Sequence, residues 1–312
     1  MKNNESNQLK IIGKVDAVNQ GLTYYNTTIF DVNKKAINIK LREDVDKVIT
    51  GQIYEFTVLK EDREDRPGDY ILNCLDIKSV EDIMDVPELT ELYLNFYEYA
   101  PLDAKELKNQ IEQFIRAIKN KTLSKIIDAL YKEYKNRFYI HPAATKFHHA
   151  YIGGLAYHTL NMLKISKHMI KIYPYLNADL MYAGILIHDI CKIDEMTGVD
   201  GEYTEEGLLL GHIVMGASKI DEVARKLKLE DTEEVLLLKH IIVGHHGQLI
   251  FGSPRKPQIA EALMIWYIDT IDSKFQVIGE VLDQTVDQTF TNAIPVADKT
   301  RFYKHKLTKT KE

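Results

Sequence analysis

The chain has 312 residues, enough for two domains with separate cores. Its hydrophobic fraction of 45% and charged fraction of 28% are those of an ordinary globular protein. A net charge of −6 argues against a broad basic face for nucleic acid, but it leaves room for a cleft made locally positive by divalent cations.

No apolar run is long enough to span a membrane, and the polar start MKNNESNQLK lacks the apolar core of a signal peptide. The two cysteines, Cys74 and Cys191, stand far apart with no CxxC. A reducing cytoplasm is therefore expected rather than a disulfide.

Residues 9–80 read as short strands. KIIGKVDAV, LTYYNTTIFD, AINIKL, QIYEFTVLK and YILNCLDIK are rich in Ile, Val, Tyr, Phe and Thr and partly alternate. REDVDKVI, between the third and fourth, is expected as a short helix, and EDREDRPGD as a long hairpin loop. Five strands so placed fit a small Greek-key barrel of the OB type. Such a barrel can offer Tyr24, Tyr25 or Phe30 for base stacking, or keep those rings in its own core.

The texture turns helical from Val86, with Pro87 in a first turn and a linker around residues 80–88. Leu107, Ile111, Phe114, Ile115 and Ile118 recur at helical spacing, as do Leu123, Ile126, Ile127, Leu130 and Tyr134. Further helices are expected around His158, over a buried face of Leu180, Ala183, Gly184 and Ile187 ending near Lys192, into His212, over Val235–Val243, and over Ile259–Phe275. The last 12 residues, RFYKHKLTKTKE, read as a basic tail frayed beyond Tyr303. The fold class is thus α+β multidomain, with residues 1–85 as the barrel and 86–312 as an all-α domain.

All eleven histidines lie between His141 and His305. His158, the pair His188-Asp189, His212, the pair His245-His246 and Asp269 form an ordered set. Imidazoles and carboxylates suit Mn, Fe or Zn, and a carboxylate can bridge two ions. Neighbours on a helix point about 100° apart, so His188 and Asp189 suit a metal at a helix end better than one on its flank. Taken singly, His212 reads equally as a buried core histidine and His245-His246 as a surface turn. His240, His168 and His305 stand outside the set. Lys192 is placed either to reach a phosphate oxygen or to sit solvated at a helix end.

This ordered set resembles the HD superfamily of metal-dependent phosphohydrolases. The segments PAATKFHHAYIGGLAYH, GILIHDICK, GLLLGHI, GHHGQLIFGSPRKP and WYIDTIDSK follow one another as in the YhaM-type 3′–5′ exoribonucleases, in which an OB-fold precedes the HD domain. The resemblance is specific from Pro142 to Lys274 and weak in the first 80 residues. It implies a first metal site from His158, His188, Asp189 and Asp269, and a second from His212, His245 and His246 with Asp189 shared. It favours Asp269 over Asp272 as ligand.

It also implies Mn as the ion and roles for Asp189, Lys192 and His148 in catalysis. Lys146, Arg255, Lys256, Arg301, Lys304 and Tyr25 are the candidate substrate contacts. Two departures stand out. IFDVNKKAI replaces the usual Asp-x-Thr-Gly turn. Cys191 replaces a common Gly, and near a redox-active metal it is exposed to oxidation.

The expected function is metal-dependent 3′–5′ exoribonuclease action on single-stranded RNA, with ssDNA a further substrate, releasing nucleoside 5′-monophosphates. The metal chemistry follows from the residues, and the RNA and the polarity follow from the resemblance. One rival is an HD phosphohydrolase acting on small nucleotides or cyclic dinucleotides. Another is a non-enzymatic RNA-binding module with a degenerate HD domain. A homo-oligomer is compatible with the sequence but not readable from it.

Overall fold

The amino-terminal strands alternate, and the alternation decides which faces turn inward. A computed structural model describes residues 7–21, 25–42, 47–63, 66, 68–97, 100–134, 136–144, 151–198 and 201–307. Tyr24, Lys146, His148 and the middle of REDVDKVI (residues 43–46) lie outside them. Strands β1 (Gln8–Gln20), β2 (Tyr25–Phe30), β3 (Ala36–Lys40), β4 (Ile53–Asp62) and β5 (Tyr70–Ser79) form a closed barrel in the order β1-β2-β3-β5-β4. This is the expected OB-like barrel.

Closure depends on β1, which is 13 residues long and serves two neighbours. Residues 8–14 pair with β4 and residues 14–20 with β2, with a register shift between Val15 and Ala17. Such a shift bends a strand and increases its twist, which lets a small sheet close. Val15, Ile29, Ile39, Phe56 and Val58 fill the interior.

The turn between β2 and β3 works without the missing Thr-Gly. Asp31 Oδ1 accepts from the Asn33 and Lys35 amides at 2.9 and 2.8 Å. Lys34 takes the left-handed conformation there, with φ of 60°. The described residues of REDVDKVI, Arg42 and Lys47–Ile49, are not helical.

Helices follow as α1 (Val80–Ile83), α2 (Val86–Tyr93), α3 (Ala104–Ala117), α4 (Lys121–Tyr134), α5 (Arg137–Ile140) and α6 (Gly154–Ile172). Then come α7 (Ala178–Ile187), α8 (Lys192–Glu195), α9 (Glu205–Leu227), α10 (Glu233–Gly244) and α11 (Ala260–Gln284). Asp85 and Glu88 form a capping box at the start of α2, with Pro87 in its first turn. The expected stripes of α3 and α4 are buried at Leu107, Ile111, Leu123, Ile126, Ile127 and Leu130.

Helix α7 is apolar on every side and sits in the middle of the bundle, as an all-round hydrophobic helix must. Three boundaries differ from the sequence reading. Helix α7 stops at Ile187, before Lys192, and α8 begins afresh at Lys192. Helix α11 runs to Gln284, well past Phe275.

The carboxy-terminal segment is held as far as Lys304, one residue past the point where fraying was expected. Tyr303 bridges Phe290, and the Lys304 amide donates to Thr289 O at 2.9 Å.

The barrel meets the helices through an apolar cluster. Ile53, with Ile12 beside it, packs against Val80, Leu89, Tyr93, Ile140 and Ile152. Tyr97 Oη donates to Gly51 O at 2.9 Å, and the Gln52 side-chain amide donates to Thr197 O at 3.3 Å. Among the described residues, no helix is long and apolar enough to cross a membrane.

Candidate metal centre

Helix ends bring the histidines together. His158 lies in the second turn of α6, and His188 and Asp189 follow the last residue of α7. His245 and His246 follow the last residue of α10. Helix α9 breaks at Gly211, whose φ of 71° and ψ of 156° only glycine adopts readily, and His212 opens the segment beyond. Asp269 and Asp272 stand nearly one turn apart on α11. A side chain at a helix end or break is free to point along the axis, so α7, α9 and α10 can aim at the place where α6 and α11 present His158 and Asp269.

Two groups of ligand atoms result, each with all its atoms within 4.8 Å of one another: Asp189, His212, His245 and His246, and His158, His188 and Asp189. Asp189 belongs to both. Asp269 Oδ1 lies 3.3 Å from His158 Nε2 at the edge of the second group.

The hydrogen bonds behind the rings fix their tautomers. His188 Nδ1 donates to Ile185 O at 2.8 Å, His245 Nδ1 to Ile242 O at 2.7 Å, and His246 Nδ1 to Phe251 O at 2.7 Å. His212 Nδ1 donates to Glu195 Oε1 at 3.0 Å, and His158 Nδ1 to Asp272 Oδ2 at 2.6 Å. Carbonyls and carboxylates only accept, so each Nδ1 carries a proton and Nε2 is the nitrogen left to serve as ligand.

Inward, the ligand atoms crowd together. His158 Nε2 and His188 Nε2 are 3.3 Å apart. His212 Nε2 and His245 Nε2 stand 3.3 and 3.6 Å from Asp189 Oδ1. These last three atoms are buried with no hydrogen-bond partner among the described residues. An orphaned buried polar atom costs roughly 1–3 kcal/mol, and a cation at the centre would satisfy all three. The donor set therefore fits divalent metal, and imidazole with carboxylate is the chemistry of Mn, Fe or Zn.

The electrostatics agree. Burial works to lower the His158 pKa, but Asp269 and Asp272 overcome it and lift it to about 10, so this corner demands positive charge. Burial works to raise the Asp189 carboxyl, yet Lys192 and His188 hold it well below the usual range. Burial, with His245 beside it, pushes His246 down to about 4. Burial likewise lowers His245. Their rings are neutral near pH 7, as ligation requires.

Lys192 is not a solvated helix-end lysine. It opens α8, and its Nζ donates to Asp189 Oδ2 at 2.8 Å and Ala143 O at 2.9 Å. Asp272 lies behind His158, on the far side of the ring from Asp269. The Cys191 thiol is buried and pushed up to about 12, chiefly by that burial, so the expected oxidation is disfavoured. Cys74 is buried as well.

The candidate substrate contacts scatter. Arg255 and Lys256 are exposed in the loop after the 3₁₀ turn Leu249–Phe251. Arg301 Nε donates to Thr291 O at 2.9 Å and Lys304 Nζ to Thr285 O at 2.8 Å, both within the carboxy-terminal segment. Tyr25 packs partly buried against the barrel core. His240 Nε2 accepts from the Gln258 amide, away from the cluster, and His168 and His305 are exposed.

Sequence reasoning missed Glu195, which accepts from both the His212 amide and its ring. It also missed the cavity beside Asp269 lined by Phe251, Trp266, Thr270, Ser273 and Lys274. The spacing of Trp266, Thr270, Ser273 and Lys274, on the α11 face of Asp269, was the available signal.

A family model described as HD domain matches residues 155–274. A relative from Geobacillus sp., named 3′-5′ exoribonuclease YhaM, is 39% identical over 211 residues, 67% of this chain and 65% of that protein. The Oceanobacillus iheyensis protein of the same name is 38% identical over 257 residues, 82% of this chain and 76% of its own length.

This chain belongs to the YhaM 3′–5′ exoribonuclease family. The Bacillus subtilis YhaM protein is 38% identical over 67% of each chain. The aligned stretch falls just short of two thirds of the Geobacillus YhaM protein. Divalent-metal binding comes with the HD domain, and all seven candidate ligands of this YhaM-family chain lie inside its matched span. A replication protein A heterotrimer bound to ssDNA matches 28% of this chain and 67% of its own at 12% identity, with a TM-score of 0.22 too low to bear on the fold.

Proposed function

We propose that the chain is a metal-dependent 3′–5′ exoribonuclease that hydrolyses single-stranded RNA to nucleoside 5′-monophosphates, with Mn as its ion and Fe or Zn as chemically acceptable replacements. One observation carries the reading. In a chain of the YhaM family, five imidazoles held from behind through Nδ1 gather around Asp189, which belongs to both groups of ligand atoms.

His158, His188, Asp189 and Asp269 would hold one ion, and His212, His245, His246 and Asp189 the other. Bound there, divalent ions supply Lewis acidity, acidifying water and drawing charge from the phosphate. The remaining work falls to the chain. Asp189, kept ionised by Lys192, offers both oxygens to the centre. Glu195 and Asp272 hold the His212 and His158 rings in aim. Lys192 remains protonated, because Asp189 overrides the effect of burial, and so sets a fixed positive charge beside the phosphate. Hydrolysis breaks the bond between phosphorus and the 3′-oxygen of the preceding nucleotide. Water's oxygen goes to phosphorus and a proton to the departing oxygen.

The barrel, of a topology that commonly carries oligonucleotides, would hold the strand upstream. Lys146 and His148 remain candidate phosphate contacts on the family match alone, and Arg255 and Lys256 on their exposure.

Incubating a 5′-labelled single strand with the protein and each candidate metal tests the reading. The strand should shorten one nucleotide at a time from its 3′ end, and a circular RNA should survive. Rapid cleavage of the circle, or labelled 5′-mononucleotide as the earliest product, would sink it. Turnover of mononucleotides or cyclic dinucleotides without RNA digestion would favour a small-nucleotide phosphohydrolase.

A further inference from the structure

Beside Asp269 and His246 opens a cavity of about 620 Å³, within the range of small-ligand sites. One wall is the α11 stripe Trp266, Thr270, Ser273 and Lys274, which shares its helix face with Asp269. A second is Phe251, in the turn whose carbonyl takes the His246 proton, so this wall is tied to the metal cluster. Val296 and Asp298, from the carboxy-terminal 3₁₀ turn Pro295–Ala297 and its cap, complete the lining.

The polar groups of the α11 wall have a definite sense. Thr270 Oγ1 donates to Trp266 O at 2.8 Å, and Ser273 Oγ donates to Asp269 Oδ1 at 3.1 Å. A hydroxyl has one proton, so each oxygen that lines the cavity has only lone pairs left. A ligand group that meets Thr270 or Ser273 must donate, and ribose hydroxyls do. The aromatic groups have a sense too. Phe251 leaves 60% of its surface in solvent. The Trp266 indole fills the space over Gly247, where a Cβ would stand 2.0 Å from it. Trp266 is thus a fixed wall and Phe251 an open ring face, which suits a base.

We propose that this cavity seats a nucleoside, the 3′-terminal one of an RNA strand, with its base against Phe251 and its ribose hydroxyls donating to Thr270 and Ser273. The proposal rests on the exoribonuclease reading and deepens it. In this seat the terminal nucleoside would meet the lining at Val296 and Asp298, on the carboxy-terminal segment.

Trp266 is the chain's single tryptophan, so its emission reports on this cavity alone. The full-length protein is titrated with uridine 5′-monophosphate and with its 2′-deoxy counterpart. The emission of Trp266 should change saturably, with the 2′-deoxy nucleotide binding more weakly. Phe251→Ala, at an exposed position, should weaken both about tenfold, the scale of one lost base stack. Thr270→Val, which keeps the shape, should shrink the difference between ribose and deoxyribose.

Digestion of 5′-labelled RNA by the unaltered protein runs in parallel. Normal 3′ shortening with flat Trp266 emission, or with Phe251→Ala binding unchanged, would overturn the seat and spare the exoribonuclease. A saturable, Phe251-dependent emission change without RNA digestion would support the nucleoside seat and overturn the activity.

Discussion

At the scale of single residues, Asp189 and Asp272 are both buried carboxylates with different work. Asp189 belongs to both ligand groups, so Asp189→Asn should abolish turnover and remove most bound metal while leaving the helical content intact. Elemental analysis beside circular dichroism checks this, and unchanged metal with continuing turnover would show the cluster misread. Asp272 acts through His158, whose Nδ1 it holds. Loss of such an outer partner costs 10–100-fold in metal affinity or activity. Asp272→Ala should therefore weaken metal binding by about that factor, and excess metal should restore part of the activity. Rescue absent at every metal concentration would place Asp272 among the ligands instead.

At the scale of elements, the site depends on where helices stop. Helix α9 can present His212 beside Glu195 only because Gly211 breaks it, at a φ/ψ that costs other residues roughly 1–3 kcal/mol. Gly211→Ala should lower the unfolding midpoint by several degrees. It should also reduce activity more than stability alone explains, because a continuous helix would turn His212 by about 100° per residue away from its place. Thermal melts with a parallel measurement of metal content decide it. A stable variant with full metal would mean the break is incidental. Cys191, just before α8, shows the reverse case: the backbone completes its turn there without the family's glycine.

At the scale of the whole molecule, the barrel and the helices share a buried cluster across the change from strand to helix near residue 85. Removing residues 1–79 would bare Leu89, Tyr93 and Ile140, and such a fragment should aggregate. His141 sits at this junction, with its ring against Pro142 O and Met196 O, next to the Thr197 carbonyl that Gln52 reaches. Protonation would let both nitrogens donate, but burial outweighs that gain and lowers its pKa to about 4.

The unfolded chain binds this proton near pH 6.5 and the folded chain only near 4. Its contribution is therefore complete above about pH 6.5 and falls as the pH drops toward 4. Urea melts at pH 7 and pH 5 should differ by about 2 kcal/mol from this group. His141→Asn, whose amide still donates but does not titrate, should flatten that slope. Equal slopes in both proteins would show that the ring does not govern acid stability.

Much of this was legible locally. Alternating Ile, Val and Phe at period two made the barrel strands visible, and apolar stripes at period 3.6 made α3 and α4 visible, because burial on one face is written into spacing. The order of His158, His188-Asp189, His212, His245-His246 and Asp269 made a candidate metal centre readable, since those residue types share one chemistry. What stayed hidden needed distance in space.

Asp272 stands beside Asp269 in the sequence, and only the approach of α6 to α11 puts it behind His158. Glu195 carries no mark of its partnership with His212, 17 residues away. Arg301 and Lys304 look like free basic residues until the chain folds back and their donors meet their own segment's carbonyls. The sequence determined which elements form and which residue types can hold metal. The tertiary structure decided which carboxylate faces the centre, which one steadies a ring and which basic groups are already engaged, because those roles depend on contacts between segments that no local pattern encodes.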